Sequence, residues 1–276
     1  MYRILPIILL LLSFISHAQT ELVLDICDAM PSDWYKKDLT KLVVKNGQGY
    51  CVSPTKILDK RIAKLSNLQE LVYWNDIYQM DSNSNVTLPE EICKLKKLEK
   101  LSTNVISDQV FKLKELKQLS LSFGNNTDIL HELGLGELTK LEKLSLSFGN
   151  HPSDLEVKGL ANLPGIQEIE LRNPTQAIID AALQNSNLTA ITISQTEGMS
   201  FDFSKCVNLK SINLDFNKLS FVPASIYNLK NLEILSLTYN VISNVDPAIA
   251  QLSRLTNFSM YHNTLVSLPE ELANCT

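Results

Sequence analysis

One frame, L-x-x-L-x-x-L-x-L, recurs along this chain of 276 residues and limits what it can fold into. It is plainest at Leu113-x-x-Leu116-x-x-LSLSFGN, whose last seven letters return unchanged in Leu138-x-x-Leu141-x-x-LSLSFGN. Leu65, Leu68, Leu71 and Tyr73 fit the frame, as do Leu95, Leu98, Leu101 and Thr103. Leu163, Ile166, Ile169 and Leu171 follow, then Leu188, Ile191 and Ile193, then Cys206, Leu209, Ile212 and Leu214. Leu229, Leu232, Leu235 and Leu237 precede a last copy at Leu252, Leu255, Phe258 and Met260, and Leu42 and Val44 mark a weaker early one. Copies lie 18 to 30 residues apart and settle to 23 at Leu214, Leu237 and Met260.

Alternation gives the frame its local structure. In L-x-L both apolar residues point one way and x points the other, which predicts a short strand. A single strand of this kind cannot bury its face. Copies stacked side by side form a parallel sheet over a continuous core, each aliphatic side chain contributing roughly 1.5–3 kcal/mol before entropy is subtracted. Between strands a second motif returns: Leu88-Pro89-Glu90-Glu91-Ile92, Val222-Pro223-Ala224-Ser225-Ile226, Val245-Asp246-Pro247-Ala248-Ile249 and Leu268-Pro269-Glu270-Glu271-Leu272. Proline is tolerated where a helical turn begins, so the return path is a short helical or 3₁₀ turn behind the sheet. Turns are wider than strands, so the stack curves with the strands inside.

Leu229-Lys-Asn-Leu-Glu-Ile-Leu235-Ser-Leu237-Thr-Tyr-Asn240-Val-Ile resembles the leucine-rich repeat, in its class of about 23 residues with an L-P-x-x-I turn. The resemblance covers roughly residues 39–276 and implies an α/β solenoid, a curved horseshoe of nine or ten repeats. It also implies a concave face that binds protein or peptide without chemistry of its own. Asn217, Asn240 and Asn263 occupy the family's asparagine position, where a side-chain amide satisfies backbone groups left over by the turn. Gly124 and Gly149 stand there in the doubled segment, with Asn125 and Asn150 one place late. Glycine accepts φ > 0, so a local bulge is expected at both, and an irregular ladder between residues 124 and 196.

The two ends read differently. Arg3, the apolar run Ile4–Ile15 and Ser16-His17-Ala18 read as a signal peptide of residues 1–18, cut before Gln19; the run is too short for a membrane anchor. His17-Ala18-Gln19 resembles the end of Bacteroidota signal peptides, which points to a bacterial protein, secreted or periplasmic. Residues 19–41 form a candidate N-terminal cap and residues 42–276 the repeat domain. A Cys27–Cys51 disulfide would staple the cap to the first strand, closing a loop worth on the order of 3 kcal/mol; two free thiols are the alternative. Cys206 fills a leucine slot. Cys275 falls where Leu229 and Leu252 fall in their copies, so either the sequence is a fragment or a partner covers the last repeat.

Nothing in the sequence asks for catalysis. His131, His151 and His262 show no metal-ligand spacing, and the cysteines form no C-x-x-C. Gly134-Leu-Gly136 lacks the third glycine of a phosphate loop. Net charge is −5 with no lysine or arginine block, which argues against nucleic acid and anionic membranes as partners. No catalytic residue, metal or cofactor is expected, and once the signal is removed no stable membrane insertion. The concave face remains. The residue after each second apolar position gives Trp74, Arg172 and Tyr261, and the next column gives Phe123, Phe148, Phe216, Tyr239 and His262. Contiguous aromatics beside an arginine have the composition of interface hot spots, so these eight are the candidate partner contacts. The reading is an exported protein- or peptide-binding module. The alternative is a structural or adhesive surface protein acting through self-association or attachment.

Overall fold

The computed structural model describes residues 20–25, 32–45, 58–74, 88–123, 132–149 and 155–274. Its strands are β1 (Glu21–Asp25), β2 (Lys41–Lys45), β3 (Glu70–Tyr73), β4 (Lys100–Thr103), β5 (Gln118–Ser122), β6 (Glu132–Gly134) and β7 (Lys143–Ser147). They continue as β8 (Glu156–Lys158), β9 (Glu168–Arg172), β10 (Ala190–Ser194), β11 (Ser211–Asn213), β12 (Ile234–Ser236) and β13 (Asn257–Ser259). All but β6 and β8 pair in chain order into one parallel sheet of 11 strands. The fold is the expected leucine-rich repeat horseshoe, its sheet on the concave side.

Register follows the frame. Leu42, Leu71, Leu101, Leu119, Leu144, Ile169, Ile191, Ile212, Leu235 and Phe258 lie opposite one another from strand to strand. All but Phe258 are buried. A one-residue slip would turn every such side chain to solvent, which pins the register. Behind the sheet, 3₁₀ turns at Glu90–Lys94, Ala224–Asn228 and Pro247–Gln251 bury Ile92, Ile226 and Ile249. Each closes by an N–H from the following leucine: Leu95 to the Ile92 carbonyl, Leu229 to Ile226, Leu252 to Ile249.

Two features differ from the sequence reading, and a third makes it more specific. Within the candidate cap, Leu22 and Leu24 are buried on either side of the exposed Val23 and form β1, paired parallel to β2, so the sheet starts one strand earlier than expected. Between β9 and β10 the return takes the helical form of the expected turn, α1 (Gln176–Leu183). Thr175 caps it, its Oγ1 accepting the Ile178 N–H, and it buries Ile178, Ile179, Ala182 and Leu183. Finally, β6 and β8 pair as a separate two-stranded parallel sheet. The Gly134–Gly136 segment serves that packing. Gly159 sits at φ +85°, and a Cβ there would meet the Gly136 nitrogen at 2.6 Å.

Residues 1–18, Cys27, Cys51 and Cys275 lie outside the described residues, so the signal segment and the disulfide have no structural account here. Cys206 is buried, as its leucine slot requires, and its thiol faces the Leu183 carbonyl at 3.2 Å. Among the described residues no helix is long and apolar enough to cross a membrane.

Candidate functional site

Strands β11 to β13 end four residues before an asparagine: Asn213 before Asn217, Ser236 before Asn240, Ser259 before Asn263. The asparagine turns inward and the residue before it is thrown outward. Asn240 donates to the Leu214 and Leu237 carbonyls, each at 2.9 Å, and its Oδ1 accepts the Asn217 and Leu219 N–H groups at 3.1 and 2.9 Å. Asn217 and Asn263 repeat the pattern, and Thr196 ends the ladder by donating to Asn217 Oδ1 at 2.7 Å. These side chains are structural, as their position implies.

Immediately before that ladder runs a column in left-handed backbone: Asn173, Gln195, Phe216, Tyr239 and His262, at φ between 52° and 61°. Bulky residues avoid this region, at a cost of order 1–3 kcal/mol each. What holds them is a second ladder, in which each N–H donates to the next repeat: Asn173 to the Ser194 carbonyl, Gln195 to Phe216, Phe216 to Thr238 and Tyr239 to Tyr261. The result is a rail of rings. Phe216 stacks on Tyr239 at 4.4 Å and Tyr239 on His262 at 4.1 Å, with ring planes within 14° of parallel. Phe216 and Tyr239 remain 54% and 46% exposed, and Tyr261 beside them is 76% exposed. Arg172 is exposed and continues the rail, its Nε donating to Gln195 Oε1 at 3.0 Å.

Phe123 and Phe148 must be removed from the candidate surface. They stack on each other at 4.7 Å and are only 8% and 2% exposed. No left-handed residue interrupts their strands, so the two-residue alternation runs on: Leu119 and Leu121 in, Ser120 and Ser122 out, Phe123 in. The letter after each ring carries the signal, since Asn follows the exposed rings at Phe216 and Tyr239 and Gly follows the buried ones. The left-handed bulge expected at Gly149 borders residues outside the described ones and has no structural account here. Asn173 ties off that exit, donating to the Phe148 and Gly149 carbonyls at 3.2 Å. Gly124 lies outside the described residues.

Trp74, half-buried on the exit of β3, stands apart from the rail, whose members leave β9 to β13. The structure thus brings together Arg172, Phe216, Tyr239, Tyr261 and His262. It adds the exposed Val241, two residues beyond Tyr239, which the column reading passes over.

One column earlier on the sheet lies a second feature that the sequence reading missed. Glu21, Lys41, Glu70, Lys100, Gln118, Lys143 and Glu168 precede the first core residue of their strands and face each other in register. Lys41 bridges Glu21 at 3.3 Å and Glu70 at 3.4 Å, and Lys143 pairs with Glu168. The hydrogen bond that Lys41 donates to Glu21, and then the charge of Glu70, raise the Lys41 pKa. Between this column and the serines of the L-x-L segments lies an open trough of about 250 Å³. Among the described residues no group of three or more His, Cys, Asp or Glu side chains could hold a metal ion.

A curved parallel sheet backed by 3₁₀ turns and locked by an asparagine ladder defines a repeat solenoid. The leucine rich repeat family profile matches residues 207–265, and the chain is a leucine-rich repeat protein. The fold superposes on an internalin (inlF) from Listeria monocytogenes at TM-score 0.51 and 14% identity, over 93% of this chain and 84% of that one. A leucine-rich repeat protein of Leptospira interrogans is 19% identical over 89% of this chain and 78% of its own, at TM-score 0.46. A second internalin (C2) from Listeria monocytogenes is 21% identical over 75% and 77%, also at 0.46. At such identities the likeness is one of fold. Among curated proteins none matches the sequence.

Proposed function

We propose that this chain is an exported recognition module that binds a protein or peptide across its concave face, without catalysis. The rail Phe216–Tyr239–His262, extended by Arg172–Gln195 and flanked by Tyr261, supplies the anchor. The observation that carries this is the backbone. Two large rings are held outward in a conformation they avoid, which is a specific arrangement for presenting aromatic surface rather than burying it. Export rests on residues 1–18, and bacterial origin on the His17-Ala18-Gln19 ending.

The test begins with a pull-down from the envelope and medium of the producing cell. It continues with titration of the recovered partner, as purified protein, against Arg172→Ala and Tyr261→Ala variants. Each is expected to weaken binding at least about tenfold while leaving the melting temperature unchanged, as for an exposed hot spot. A double variant that binds as the parent does overturns the reading. Intact mass of the secreted protein should show Gln19 as its first residue. A second reading, adhesion by self-association, is favoured by exposed Val266 and Leu268 next to β13. It predicts a sedimentation coefficient that rises with concentration.

A further inference from the structure

The charged column on the sheet alternates in sign until it reaches one place. Glu21, Lys41, Glu70 and Lys100 run acid, base, acid, base; Lys143 and Glu168 close it with base and acid. Between Lys100 and Lys143, where alternation calls for a carboxylate, stands Gln118. Lys41 and Lys143 have their acids, but among the described residues neither Lys100 nor the Gln118 amide makes a side-chain ion pair or hydrogen bond. The floor alongside is Ser102, Ser120 and Ser145, in register, and none of these hydroxyls has a hydrogen-bond partner among the described residues. Farther along the sheet such groups are spoken for: Ser236 donates to Asp215 Oδ1 at 2.7 Å, and Thr238 and Ser259 join at 2.9 Å.

We infer that the gap over Gln118 is a subsite for one carboxylate side chain, Asp or Glu, of an extended peptide segment of a protein partner. This rests on the concave-face reading above and names the chemistry at its other end. Lys100 and Lys143 stand two strand spacings apart, about 10 Å, so an anion between them meets both ammonium groups. The Gln118 amide and Ser120 hydroxyl add neutral donors beneath it. The occupant carries a single acid, because the trough is closed by acids: Glu70 lines one end, and Glu170 the other, with Glu168 beside it on β9. Neutral or basic residues flank the acid, and a polyanion such as nucleic acid is repelled. The trough is open and lies across several strands, which suits a chain segment rather than a small free anion.

The test uses the mature full-length protein and three fluorescent pools of blocked nonapeptides, with Glu, Gln or Lys fixed at the centre and random flanks. The Glu pool should be retained about tenfold better than the Gln pool, the size of one charge-assisted hydrogen bond, and the preference should shrink with added salt. Gln118→Glu fills the gap from within. It should keep the parental melting temperature and abolish the preference, as should Lys100→Gln. A Gln118→Glu protein that still prefers Glu overturns the subsite. Equal retention of the Glu and Gln pools, sensitive to Tyr261→Ala, overturns the subsite and leaves the concave-face reading standing. Failure of every pool to bind overturns both.

Discussion

Asn240 accepts the backbone N–H of Asn217, one repeat earlier, on a buried side-chain oxygen at 3.1 Å. The same oxygen holds Leu219, and the amide nitrogen holds the Leu214 and Leu237 carbonyls. Replacing Asn240 by Ala strips partners from buried groups on two repeats. The expected loss is on the order of 2–4 kcal/mol, since each unsatisfied buried group costs about 1–3 kcal/mol and some find water. Urea denaturation measures it. Asn263→Ala should cost less, because that side chain is only half-buried and its neighbours reach solvent. Equal losses at both positions would contradict a ladder anchored by burial.

Left-handed backbone at Tyr239 separates two effects that substitution usually mixes. Tyr239→Asn and Tyr239→Val both remove the ring from its stack with Phe216 and His262. Asparagine accepts φ near 55°, whereas a β-branched residue does not. The Val variant should therefore be less stable than the Asn variant by about 1–2 kcal/mol. If the two melt together, the strain assigned to the rail is absent.

Gly136 and Gly159 touch, yet they should respond in opposite ways. A Cβ on Gly159 meets the Gly136 nitrogen at 2.6 Å and its Cα at 2.7 Å, with φ at +85° besides. A Cβ on Gly136 comes no closer than 4.0 Å to Gly159. Gly159→Ala is expected to cost about 2 kcal/mol or more, while Gly136→Ala stays within about 0.5 kcal/mol of the parent. Thermal melts of the two variants settle it.

What could be read from the letters was whatever repeats within one copy. Leu71, Leu101 and Leu144 announce the core face by alternation, and Pro89 and Pro223 announce the turns. Orientation at the strand exit was harder. Phe148 and Phe216 hold the same place in the frame, and only the letter that follows, Gly149 or Asn217, tells inward from outward. The trough was harder still. Lys100, Gln118 and Lys143 are 18 and 25 residues apart, and their meaning lies in which acids pair with which neighbours across the sheet. Helix α1 hides for a different reason: it replaces a 3₁₀ turn within the same return path, so the strand frame on either side gives no notice of it.

Cys206 makes stability depend on alkali. Burial raises its thiol pKa to about 11, from an ordinary value of 9.0. Between those values the folded protein keeps a proton that the unfolded chain has released. The folded state therefore binds more protons there, and stability falls as pH rises through the window. The full loss above the folded pKa is on the order of 2–3 kcal/mol from this one group. Below about pH 9 both states are protonated and the contribution is level. Tyr73, raised by burial to about 12, adds a further decline at still higher pH. Urea denaturation of the parent and of Cys206→Ala at pH 8, 9, 10 and 11 measures the effect, those values bracketing the window. The variant starts less stable, having lost a buried sulfur, but its curve should be flatter than the parent's across that range. Parallel curves would mean that the thiol ionises in the fold as readily as in the open chain. In that case the Leu183 carbonyl facing the sulfur at 3.2 Å would not be holding its proton.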